Sequence, residues 1–262
     1  MARLDSLFAA TRAEGRAALV GYLPAGLPDS AALFAALVDG GCDLVEVGLP
    51  FSDPVMDGPV IQAAADQALR AGFKVRDLFG MVESIAAAGG RAVVMTYWNP
   101  VYRYGVVAFA RDLAAAGGLG VITPDLIPDE AAEWIEAASA HDLDRIFLVA
   151  PSSTEERLAL TTSVASGFVY ATSVMGVTGA RDSVGSAAPE LVRRVRAHTS
   201  TPVGVGLGVR NAAQAAEVAG FADAVIVGSA FVSAANEGGA DAVRALAAEL
   251  ADGVRSAPAT IG

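Results

Sequence analysis

Two neighbouring stretches of this sequence combine carboxylates with the residues needed to hold them still, and together they suit acid–base chemistry. The first is Leu44-Val45-Glu46-Val47-Gly48, where an ionisable residue stands among apolar neighbours. Desolvation by such neighbours disfavours the charged carboxylate and raises its pKa toward neutrality, the range in which a general acid/base works. A structural glutamate, paired with an arginine or capped by hydroxyls, would leave the same pattern. The second stretch, Pro50-Phe-Ser-Asp-Pro-Val-Met-Asp-Gly-Pro59, holds Asp53 and Asp57 between prolines and a glycine. Proline restricts the backbone and Gly58 permits an unusual turn, so a carboxylate there keeps a fixed position. Capping a turn or the following helix is the competing duty, and it suits Asp53 better than Asp57.

Three later stretches are rich in glycine: Gly176-Val-Thr-Gly179, Gly204-Val-Gly-Leu-Gly208 and Gly228-Ser229. Phosphate binding needs converging backbone N–H groups and room for close approach, which such loops supply without lysine or arginine. Any one glycine pair is ordinarily a tight turn. Three of them, each expected to follow a strand, point to a phosphate site, with a short helix over 229–235 offering its N-terminus.

Other chemistries have little material. The single cysteine, Cys42, follows Gly40-Gly41 and reads as a small buried filler, since neither histidine offers it an activating partner. His141 and His198 fall at expected helix ends, with no His or Cys at metal-ligand spacing, so no metal site is expected. The net charge of −11 repels polyanions, and no basic run offsets it locally. Nucleic acid and anionic membrane surfaces are therefore not expected partners. The longest apolar runs, such as Arg91–Trp98, stop far short of the roughly 20 residues a membrane span needs. The first residues lack the apolar stretch of a signal peptide, so the expected location is cytoplasmic.

Something must carry these residues to one place, and the order of elements supplies it. Short β-branched runs recur at 18–24, 43–48, 92–97, 119–123, 145–150, 167–173, 202–207 and 223–228, mostly apolar throughout. That pattern fits strands covered on both faces, hence a parallel sheet. Segments with helical spacing fill the gaps at 30–39, 75–88, 106–116, 129–140, 155–165, 189–198, 211–219 and 238–252. Two more are expected at 4–14 and 60–71, before the first strand and after the second. Eight βα units over 262 residues, with no Pro/Ser linker or change of composition, predict one (β/α)8 TIM barrel spanning residues 1–262. An open doubly wound sheet is disfavoured by the strand count and by the lack of Gly-x-Gly-x-x-Gly after strand one. Active sites of such barrels lie at the C-terminal ends of the strands. Of 29 acidic residues, that placement selects Glu46, Asp53, Asp57, Asp125 and Asp182.

At these residues the sequence resembles the tryptophan synthase alpha chain family. The matching stretches are Asp43 to Gln62, Thr123-Pro-Asp-Leu126, Gly176-Val-Thr-Gly179, Val205-Gly-Leu-Gly208 and Val227-Gly-Ser-Ala230, in the family's order and across nearly the whole chain. The resemblance implies retro-aldol cleavage of indole-3-glycerol phosphate to indole and glyceraldehyde 3-phosphate, late in tryptophan biosynthesis, with no cofactor in this chain. It implies that Glu46 is the general acid/base and that Asp57 is the carboxylate at the indole N–H. Gly179, Gly208, Gly228 and Ser229 match the phosphate ligands, while Tyr170 and Thr178 match supports of Glu46 and Asp57 respectively. Tyr22 and Leu207 match pocket positions usually filled by Phe, a departure that bears on pocket polarity and fit. The segment Pro24–Asp29 lacks the acid that often follows its glycine, although Asp29 lies close by.

The implied partner is the tryptophan synthase beta chain, which carries pyridoxal phosphate, in an alpha2-beta2 heterotetramer, with the loop at 51–59 at the contact. The small-residue loop at 174–188 is expected to close over substrate. A stand-alone lyase that releases indole without a beta chain is one alternative. A catalytically weak allosteric subunit is the other, and the presence of Glu46 and Asp57 argues against it.

Overall fold

In the computed structural model, which describes residues 4–172, 187–206 and 208–257, eight parallel strands pair in sequence order and close into a barrel. They are β1 (Ala18–Pro24), β2 (Leu44–Gly48), β3 (Ala92–Met95), β4 (Gly120–Thr123), β5 (Asp144–Val149), β6 (Val169–Thr172), β7 (Val203–Gly206) and β8 (Ala224–Val227). Closure comes from β1 against β8, in register from Ala18 with Ala224 to Gly21 with Val227.

Alternate residues of each strand face opposite sides, and two apolar layers follow from that period of two. Ala18, Val20, Leu44, Val93, Ile122, Ile146, Phe168, Ala224 and Ile226 fill the barrel's interior. Their neighbours, among them Leu19, Val45, Val94, Val121, Phe147 and Val205, pack outward against the helices. β1 and β2 are buried on both faces along their whole length, which explains their near-continuous apolar runs.

Both added helices are present. α1 (Asp5–Ala13) plugs the barrel's N-terminal end with Leu7 and Phe8, joined by Leu4, whose N–H donates to the buried Asp144 Oδ2 at 2.8 Å. After α2 (Ser30–Asp39), α3 (Pro59–Arg70) begins directly after the Asp57 loop, with Pro59 at its first position, where no N–H partner is needed. α4 (Val75–Ala87) leads to β3, which ends at Met95 rather than at the expected 97. The chain then turns into a helix that the sequence reading did not anticipate, α5 (Trp98–Tyr104), before α6 (Val106–Ala115). Pro100 is tolerated in the first turn of α5, and Asp125 Oδ1 accepts the Trp98 N–H at 2.8 Å, capping it from the β4 loop.

The helix expected over 129–140 is divided. A 3₁₀ turn, Pro128–Glu130, is separated from α7 (Ala132–Ala140) by Ala131, which is off helical geometry. α8 (Glu155–Val164), α9 (Ala187–Arg196) and α10 (Ala212–Ala219) stand near their expected places. α11 (Ser229–Ser256) is broken at Gly238 and Gly239, so its first part is the short helix expected at 229–235. Among the described residues no helix is long and apolar enough to cross a membrane.

Candidate active site

Leu44, Glu46 and Gly48 share the inner side of β2, so alternation carries Glu46 from the packed interior toward the C-terminal mouth. Its register partners are Tyr22 on β1 and Val93 on β3. The Glu46 side chain is 1% exposed, and its Oε2 has no hydrogen-bond partner among the described residues. Burial, with the nearby charge of Asp57 added, pushes its carboxyl up to about 8. A structural glutamate held by an arginine would show the opposite shift.

Asp57 is brought over the mouth by the β2–α3 loop. The Tyr97 hydroxyl accepts the Met56 N–H at 3.0 Å and donates to Asp57 Oδ2 at 3.3 Å. Gln62 Nε2 donates to the Asp57 carbonyl at 2.9 Å, and the rings of Phe51 and Tyr97 lie 5.2 Å apart. Burial raises the Asp57 carboxyl, and the Tyr97 bond opposes that rise. Tyr97 is a site residue the sequence reading missed. Its signal was positional: two residues beyond Met95, it continues the inward series of β3 beyond the last strand residue.

The other acids separate cleanly from this pair. Asp53 is exposed and accepts the Ser52 hydroxyl at 2.6 Å, which is turn duty. Asp125 caps α5. Asp182 lies outside the described residues.

Two phenols flank the carboxylates. Tyr170 on β6 lies over Gly206 of β7, where a Cβ would come within 2.5 Å of its hydroxyl. Its pKa is raised well above the phenol range by burial, then by Glu46, then by Asp57. Tyr22 lies in the same way over Gly48, and after burial its largest perturbation comes from Asp57. Glu46, Asp57, Tyr22, Tyr97 and Tyr170 thus form one constellation.

Gly208 follows β7 with φ +69, and Gly228 follows β8 and precedes α11. Phe231 and Val232 N–H both bond the Gly228 carbonyl, whereas the amides of Ser229 and Ala230 open the helix and have no intrahelical acceptor. These residues offer donors at the barrel end where such folds bind phosphate. Gly176, Thr178, Gly179 and Leu207 lie outside the described residues, as does 174–186 of the loop expected to close.

Among the described residues no group of three or more His, Cys, Asp and Glu could hold a metal ion. Cys42 is buried and its thiol is driven upward by desolvation, so it is not an activated nucleophile. His141 caps α7, and His198 lies 2.8 Å from Glu155 at the end of α9.

Residues 8–257 match the family model described as tryptophan synthase alpha chain. The chain belongs to that family. The tryptophan synthase alpha chain of Nocardia farcinica is 69% identical over 258 residues, 97% of each chain. That of Mycobacterium avium is 65% identical over 256 residues, covering 97% of this chain and 94% of the relative. A solved structure of Mycobacterium tuberculosis tryptophan synthase superposes with a TM-score of 0.94 at 64% identity, covering 97% of this chain and 98% of that one. The tryptophan synthase complex of Pyrococcus furiosus follows the same path at 34% identity, with a TM-score of 0.82 over 90% of this chain and 97% of that one. Tryptophan synthase alpha chains are carbon–carbon lyases of tryptophan biosynthesis that cleave indole-3-glycerol phosphate, and this chain is an enzyme of that kind.

Proposed function

We propose that Glu46 and Asp57 divide the cleavage of indole-3-glycerol phosphate between them. The observation that carries this reading is the unpartnered, buried Glu46 Oε2 at the barrel mouth, on a carboxyl raised to about 8 and next to Asp57. Near neutrality Glu46 is mostly protonated, so it donates its proton to the indole carbon that carries the glycerol chain. The ring becomes a cationic indolenine, and the carboxylate of Asp57 at the ring nitrogen stabilises that charge. The Glu46 carboxylate then takes the proton of the adjacent glycerol hydroxyl as the C–C bond breaks. The bond's electrons return to the ring, releasing indole and glyceraldehyde 3-phosphate with Glu46 protonated again.

Gly179, Gly208, Gly228 and Ser229 hold the phosphate in this reading. Tyr170 supports Glu46, Thr178 supports Asp57, and Tyr22 and Leu207 wall the indole pocket. The cycle needs no metal or cofactor in this chain, because each proton it moves starts and ends on Glu46 or substrate. We place residues 1–262 in a single catalytic domain, acting in the cytoplasm.

The proposed partner is a tryptophan synthase beta chain, which would carry the pyridoxal phosphate, in an alpha2-beta2 heterotetramer. Support comes from the exposed Val55, Tyr102 and Ile127, which follow β2, β3 and β4 and so lie toward the mouth end. Exposed apolar side chains at the end of the barrel where partner and substrate would meet suit a protein contact. An indole assay on the isolated chain, with and without beta chain, tests the pairing. Stimulation by beta chain is expected. Rapid indole release unaffected by beta chain would instead identify a stand-alone lyase. Glu46→Gln is expected to lose on the order of 10² to 10⁴-fold in turnover. Survival within about tenfold would overturn the acid/base assignment, since general acid–base catalysis ordinarily exceeds that factor.

A further inference from the structure

The Tyr22 hydroxyl has no part in the chemistry described so far. It stands level with Glu46 across the β1–β2 pairing and belongs to a buried side chain. Two glycines locate the phenol. A Cβ at Gly228 would lie 3.4 Å from Tyr22 Cδ1, and one at Gly48 would lie 2.6 Å from Cε2 and collide with the hydroxyl. One side of the ring therefore adjoins the proposed phosphate cradle, while its polar tip lies over β2 beside the carboxylates. No hydrogen bond of this hydroxyl is seen among the described residues, and the residue keeps 8% exposure against 1% for Glu46. Asp57 already receives the Tyr97 hydroxyl.

Burial, with the charge of Asp57 added, keeps this phenol protonated, so it is a donor throughout the working pH range. A donor that substrate will cut off from water needs an acceptor on that substrate. With phosphate at Gly228 and the reacting carbon at Glu46, the glycerol chain is the part of the substrate that lies alongside the ring. We infer that the Tyr22 hydroxyl donates a hydrogen bond to a glycerol hydroxyl of the substrate and so makes this chain selective for a hydroxylated linker. A phenylalanine would supply the same wall without that selection. The inference rests on the proposed placement of phosphate and carboxylates.

Tyr22→Phe removes one oxygen and leaves the wall intact. The decisive comparison is its effect on two ligands: indole-3-glycerol phosphate, read as kcat/KM, and an indolylalkyl phosphate with no hydroxyls, read as an inhibition constant. The expected result is a fall of about tenfold for the substrate, the size of one hydrogen bond, with inhibition unchanged within about twofold. Equal weakening of both ligands would mean that Tyr22 only packs, and no change in either would mean that its hydroxyl has no ligand; each outcome overturns the inference. Failure of the underlying site looks different: Glu46→Gln would then retain full turnover whatever residue occupies position 22.

Discussion

Glu46 is neutral in the fold at a pH where it would be ionised in the unfolded chain, so its effect on stability has a definite sign. Its carboxyl is raised from about 4.5 to about 8, and the folded state therefore binds a proton that the unfolded state releases across that interval. Stability falls as pH rises from about 5 to about 8 and levels off above. Glu46→Gln removes this dependence. The variant is expected to gain stability over the natural chain by roughly 3 to 5 kcal/mol more at pH 9 than at pH 5, read by denaturant unfolding. A gain of the same size at both pH values would show that Glu46 is ionised near neutrality. The two acids of the proposed site stood out by context, Glu46 among apolar residues and Asp57, with Asp53, between prolines, and the family resemblance rather than the context assigned their roles. Tyr97 did not, because a tyrosine near a strand end looks the same whether it packs or holds a carboxylate.

The elements were legible for a related reason. Strands covered on both sides leave uninterrupted apolar runs, and all eight appear within a few residues of their expected bounds. α5 was hidden because Thr96 and Tyr97 extend the apolar character of β3. The Asn99-Pro100 pair was the available sign that a helix begins there. What holds that beginning is remote in sequence: the Asp125 carboxylate on the Trp98 N–H. Asp125→Ala is expected to cost about 1 kcal/mol, the usual value of a helix cap, measured by urea unfolding. A loss below about 0.3 kcal/mol would mean that solvent serves that N–H equally well.

Across the whole molecule, chemistry and closure occupy opposite ends of the barrel. The mouth holds the carboxylates, and the far end is stopped by Leu4, Leu7 and Phe8, with Asp144 accepting the Leu4 N–H. Asp144→Ala leaves that buried N–H unsatisfied and is expected to cost about 1 to 3 kcal/mol, with kcat/KM at the distant mouth within about twofold of the natural chain. An equal loss of turnover under fully folded conditions would show that the two ends are coupled. The bond that secures the plug joins residues 140 positions apart. During synthesis α1 is therefore made first and docked late, because the strand that receives it must be translated in between. Until then Leu7 and Phe8 have no interior to enter. The segment that closes the finished barrel therefore leaves the ribosome with Leu7 and Phe8 uncovered, and its nine residues are too few to hold a helix without that packing.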